Sequence, residues 1–182
     1  MTTIGVAIPI AEPYGSELQK HRADFGDPMA ASIPTHITLL PPTEIGAGDL
    51  ELIDEHLLAV AARFPRFRIR LRGTATFRPI SPVVFVPLAE GISSCEVLQS
   101  QVRSGPLQID LRFPYHPHVT VAHDLDKDAL DRAYDALSEY DCAFDVEYFS
   151  RYEHGTDGVA PGSRAFDPYP GRERFDGRFD SH

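Results

Sequence analysis

Cysteine is scarce in this chain. Cys95 and Cys142 stand apart, without CxxC spacing and without metal-type neighbours, so ordinary thiols are expected rather than a disulfide or a zinc site. Long apolar runs are missing too: no stretch approaches the eighteen or so apolar residues of a membrane span. The opening Met1-Thr-Thr-Ile-Gly has neither the basic nor the apolar region of a secretory signal. A cytoplasmic protein with no membrane partner is therefore expected. Positive charge is also in short supply, with 17 Lys and Arg against 27 Asp and Glu and a formal net charge of −10. Holding duplex DNA or long RNA takes many phosphate contacts from Lys and Arg, which argues against both, whereas a small nucleotide or one RNA end needs only a local cluster.

What is present is enough apolar residue, 42% of 182 positions, to build a core for one compact domain or two small lobes. Two stretches stand out: Pro-Thr-His-Ile-Thr-Leu-Leu-Pro-Pro at 34–42 and Pro-Tyr-His-Pro-His-Val-Thr-Val-Ala-His at 114–123. Each contains His-x-Thr followed by an aliphatic residue. Because side chains alternate along a strand, His36 and Thr38 share one face while Ile37 and Leu39 take the other, and His118 and Thr120 are set against Val119 and Val121 in the same way. Random placement of this chain's His and Thr gives about 0.4 His-x-Thr triplets, so one copy means little; two copies with matched aliphatic partners arise by accident on the order of once in a few hundred such sequences.

The elements around the motifs recur. Ile4–Ile10 reads as a buried strand, 14–25 as a thinly apolar helix ending near Gly26, and Pro41-Pro42 as the stop of the first motif strand. Asp49 is placed to cap a helix carrying Leu50, Ile53, Leu57, Leu58, Ala61 and Phe64. Phe67–Arg72 alternates as a half-exposed strand, with Gly73 opening a hairpin into 74–77. The second round has a strand at Val83–Leu88, a helix with a Ser93/Glu96 capping box burying Val97, Leu98 and Val102, and the second motif. It closes with a helix capped by Asp126 and a strand at Ala143–Phe149 turning near Gly155 to Gly158. His36 and His118 are 82 residues apart, the opening strands 79 and the closing strands 76. Residues 1–160 are thus expected to form a single bilobal unit with repeat halves at about 3–78 and 82–153. The Pro-, Gly-, Arg- and Asp-rich 161–182 is expected to be an irregular or disordered tail.

On these residues the chain resembles the two-histidine (2H) phosphoesterase superfamily, and within it the 2′-5′ RNA ligase-like or RNA 2′,3′-cyclic phosphodiesterase branch. The likeness covers about 3–153; the tail departs from it, since Val159–Ala165 makes a poor last strand. The resemblance implies an α+β fold, a bilobal pseudo-symmetric duplication with two antiparallel sheets around a central cleft and helices on the outside. It also implies metal-independent chemistry, with no cofactor, on a cyclic phosphate at an RNA end or on a small nucleotide. A monomer is expected.

The chemistry suits the residues. Opening a 2′,3′-cyclic phosphate takes a base on one side of phosphorus and an acid on the other, and imidazole, with an ordinary pKa of about 6.5, serves as either near neutrality. His36 and His118 are the expected catalytic pair, and family pattern favours the first as acid. Thr38 and Thr120 are candidates to bind the non-bridging oxygens, although Thr also simply favours strands. Tyr115, with Phe113, is either a base-stacking substrate contact or packing, and Phe77 is open in the same way. Arg66, Arg68, Arg70, Arg72 and Arg78 could form a phosphate patch or a charge-blunted strand face. His116 is expected on the loop entering the strand, His123 in a structural or solvent role, and His21, His56, His154 and His182 on the surface. The rival reading is a binding module that uses the cleft without turnover; a metal hydrolase built on His116, His118 and His123 ranks lower.

Overall fold

A computed structural model describes residues 1–155 and 158–166, the side chains of 158–163 apart. Two antiparallel sheets share one continuous apolar core. The first half runs β1 (Thr2–Pro9), α1 (Tyr14–Asp24), β2 (His36–Ile45), α2 (Leu50–Arg63), β3 (Phe67–Arg72) and a two-residue β4 (Ala75–Thr76). The second runs β5 (Val83–Glu90), α3 (Ile92–Val102), β6 (His118–His123), α4 (Lys127–Ala136), β7 (Asp141–Val146), β8 (Phe149–Gly155) and β9 (Gly158–Phe166).

The first sheet has the order β2-β1-β8-β9, while in the second β5 lies between β6 on one side and β4 and β3 on the other, with β7 beyond β3. The halves therefore exchange strands. β3, from the first half, completes the sheet of the second motif, and β8, from the second half, completes the sheet of the first. The sheet partners also correct the pairing of closing strands: the counterpart of β3 is β8, not the segment at 143. Phe67 and Phe149, which open β3 and β8, are 82 positions apart, the spacing of the two motif histidines.

Several local expectations change for stated reasons. Pro41-Pro42 does not stop β2, which continues to Ile45. β2 is an edge strand bonded only to β1, and the prolines fall where the register shifts between the Ile4 and Val6 pairs, so their missing N–H groups interrupt no second ladder. β4 pairs with β5 instead of folding back on β3. Gly91, at φ +96°, occupies the N-cap of α3, so Ser93 lies inside the first turn and caps nothing; Val97 faces solvent while Cys95, Leu98 and Val102 are buried. Asp49 stands at the start of α2, but its carboxylate accepts from the Gly46 N–H. Asp126 does cap α4, accepting from the Ala129 N–H at 2.7 Å. The expected irregular chain from 161 is corrected for 161–166. β9 reaches Phe166, an edge strand held by a fully buried ring stacked on Phe149 and by Arg164 bonded to Asp54. The rest of that segment, 167–182, lies outside the described residues.

Candidate active site

Each motif strand forms because its aliphatic positions are buried completely: Ile37, Leu39, Val119 and Val121 are at most 1% exposed, which fixes the register and turns His36, Thr38, His118 and Thr120 to the other face. The registers correspond. Pro9 stands opposite His36 and Ala7 opposite Thr38; Pro87 stands opposite His118 and Phe85 opposite Thr120. β2 and β6 are both edge strands, and they lie against each other where the sheets meet without forming a ladder. The two motifs are thereby brought to one junction, near enough for His36 to act on the proton affinity of His118.

The imidazoles are held alike. His36 Nδ1 lies 2.6 Å from the Pro34 carbonyl and His118 Nδ1 2.7 Å from the His116 carbonyl. A carbonyl oxygen only accepts, so Nδ1 carries the hydrogen in both rings and Nε2 is left as the atom that gains or loses a proton. Burial lowers the proton affinity of His36, helped by the charges of Arg22 and His154 and opposed by the Pro34 bond. Burial likewise lowers that of His118, with His116 and His36 adding to it and the His116 carbonyl opposing it. Among the described residues no side-chain or backbone group takes up the hydroxyls of Thr38 and Thr120.

The surroundings sort the remaining candidates. Tyr115 packs against the core and donates its hydroxyl to the Thr38 carbonyl at 2.9 Å, joining the two motifs, and burial pushes its proton affinity up. Phe113 is exposed beneath the Arg112 guanidinium. Phe77 covers Phe85 at 4.3 Å between ring centres and meets His118 edge-on at 5.0 Å, setting an aromatic pair beside the second motif histidine. His116 is exposed just ahead of the strand and His123 ends it. The arginines on β3 face the acids of β7, with Arg70 bonded twice to Asp141 and Arg68 within 3.9 Å of Asp145, while Arg78 pairs with Asp131 at 2.8 Å. That is the charge-blunted face. His56 is no simple surface residue, since its Nε2 lies 3.0 Å from the Val102 carbonyl.

Two features escaped the sequence. His154 is not a simple surface residue: with Gly5, Ala7, Tyr152 and Leu40 it lines a cavity of about 160 Å³ that His36 and Thr38 also line. Arg22 and Asp27, both about 4% exposed or less, form a buried ion pair at 2.8 Å behind the site. No pattern in the chain marks His154, because β8 reaches this sheet only through the strand exchange.

Two lobes thus meet at edge strands, each offering an imidazole and a hydroxyl. The family model described as the 2′-5′ RNA ligase superfamily matches residues 9–158, and the chain belongs to that family, the 2H phosphoesterases. A putative phosphoesterase of Halalkalibacterium halodurans is 26% identical over 126 residues, 69% of this chain and 72% of that protein. Another, of Oceanobacillus iheyensis, is 28% identical over 102 residues, 56% of this chain and 59% of that protein. The fold is similar to that of a Thermus thermophilus protein, with a TM-score of 0.64, 20% identity, and 92% of this chain and 97% of that one covered. It is similar also to E. coli LigT solved with 3′-AMP, with a TM-score of 0.57, 21% identity, and coverage of 91% and 94%. No helix among the described residues is long and apolar enough to cross a membrane.

Proposed function

We propose that this phosphoesterase opens 2′,3′-cyclic phosphates on RNA ends or small nucleotides, without a metal, by acid and base catalysis from His36 and His118. The observation that carries the reading is the matched tethering of the two rings: each Nδ1–H is held by the carbonyl two residues upstream, leaving two Nε2 atoms for proton transfer. One Nε2 removes a proton from water as its oxygen attacks phosphorus. The other gives its proton to the departing ribose oxygen, so that a P–O bond forms as another breaks and the charge is conserved. Thr38 and Thr120 donate hydrogen bonds to the non-bridging oxygens, where negative charge grows. The 3′-AMP, ATP and NADP⁺ complexes of E. coli LigT support a nucleotide as the ligand class.

The test is incubation with the four nucleoside 2′,3′-cyclic monophosphates and with short RNAs ending in a cyclic phosphate, followed by product analysis. Ring opening by the wild type, lost in both histidine variants, is the expected result. Tight binding with no turnover would replace the enzyme by a binding module.

A further inference from the structure

The two sides of the cleft are not equivalent. Opposite Thr120 the neighbouring strand carries Phe85, buried under Phe77, and both rings press against His118. Opposite Thr38 the same place holds Ala7, and farther along β1 stands Gly5, with no side chain. The room left on the first-motif side is the cavity of about 160 Å³, lined by both His36 and His154. An apolar cavity of about 150 Å³ accepts a benzene ring, so this one suits a single planar ring system lying beside a phosphate held between the histidines.

Its lining argues for a base rather than a second phosphate. The apolar lining comes from Val6, Ala7, Ile33, Pro34, Leu40 and Pro42, and besides the motif residues His36 and Thr38 the polar side chains are those of Tyr152 and His154. Burial pushes the Tyr152 phenol up to about 12, so it stays neutral at physiological pH. Apolar walls with one or two convergent polar groups orient a flat heterocycle. The backbone shows what keeps the imidazole there: a Cβ built on Gly5 would come 2.9 Å from His154 Nε2, so the ring lies across the space a side chain at position 5 would need.

We propose that His154, lying across Gly5, is the base-recognition residue of this cleft, hydrogen-bonding the edge of a purine or pyrimidine seated between Ala7, Ile33 and Leu40. The assignment rests on the reading of the cleft as a nucleotide site, but it requires binding only, not turnover. It makes His154 a binding residue, with no part in proton transfer at phosphorus.

The experiment is calorimetric titration of wild type, His154→Ala and Gly5→Ala with the four nucleoside 3′-monophosphates and with inorganic phosphate as the base-free probe. Losing the hydrogen bond weakens at least one nucleotide about tenfold in His154→Ala while phosphate affinity moves less than about twofold. Gly5→Ala displaces the imidazole, a flexible side-chain end, and reproduces the pattern with the fold intact. Unchanged nucleotide affinity in both variants, an equal loss for nucleotide and phosphate, or no nucleotide binding by the wild type overturns the proposal. If the wild type binds nucleotides in this way yet opens no cyclic phosphate, the proposed reaction fails and the base subsite stands.

Discussion

Tyr115, three residues ahead of the second motif histidine, donates its hydroxyl to the backbone carbonyl of Thr38 in the first motif at 2.9 Å. One side chain thereby sets the height of the two His-x-Thr strands relative to each other, although β2 and β6 share no ladder. The ring adds packing against the core.

Tyr115→Phe keeps the ring and removes the tie. Leaving the Thr38 carbonyl without its donor costs about 1 kcal/mol, measurable as a lower midpoint in urea with an unchanged slope. A stability equal to wild type would show that water replaces the hydroxyl without loss.

Removing either reactive imidazole tests the acid and base roles directly. His36→Ala and His118→Ala each reduce turnover of a cyclic phosphate by about 10² to 10⁴, the range for a positioned general acid or base, with circular dichroism unchanged. Each variant also loses one limb of the pH–rate profile. Wild-type rates in both variants would remove the mechanism, and loss of wild-type activity in EDTA would replace it with metal chemistry.

The pH dependence follows from burial, which disfavours the charged imidazole. Both His36 and His118 are lowered from the ordinary 6.5, so it takes more acid to protonate either one. NMR titration of the free protein accordingly gives both midpoints below 6.5. The alkaline limb of kcat/KM, which reports loss of the protonated acid, begins below neutrality. An anionic ligand attracts the cation and raises the midpoints. Free-protein midpoints at the ordinary value would mean that the rings are solvated rather than buried, and midpoints above it that a group favouring the cation outweighs burial.

Behind the cleft, the Asp27 carboxylate accepts from Arg22 Nε at 2.8 Å, from the Met29 N–H at 3.0 Å and from the His123 N–H at 3.2 Å. It therefore joins the segment after α1 to the end of β6. Asp27→Ala leaves a buried guanidinium without its partner and costs about 3 to 5 kcal/mol, read as a fall in thermal midpoint. Arg22→Met with Asp27→Ala recovers part of the loss, since the charge to be desolvated is gone.

Most of the strands and helices, and the faces of the two motifs, were legible because each depends on neighbours within a few residues; the break of 143–149 between β7 and β8, and β9, were not. Alternation over His36–Leu39 and His118–Val121 separates the imidazole face from the buried face wherever those strands lie, and Asp126 caps α4 through a bond three residues long. The two related lobes followed from the repeated order, and the α+β class with two antiparallel sheets from the resemblance. Capping at Ser93 and the stop at Pro41-Pro42 were misjudged for a common reason. Whether a residue caps or breaks depends on what its backbone faces, and an edge strand has no second partner to lose.

Local patterning reaches as far as two strands that each bear a histidine and a threonine on one side. It does not carry the partner of either strand, because hydrogen-bonded neighbours such as Gly5 and Tyr152 are 147 positions apart and nothing nearby in the chain encodes their meeting. The exchange of β3 and β8, the Tyr115–Thr38 tie, the Asp27 anchor and the arrival of His154 beside His36 all came from long-range packing. There the burial of whole faces, rather than the period of any one segment, selects which surfaces adjoin.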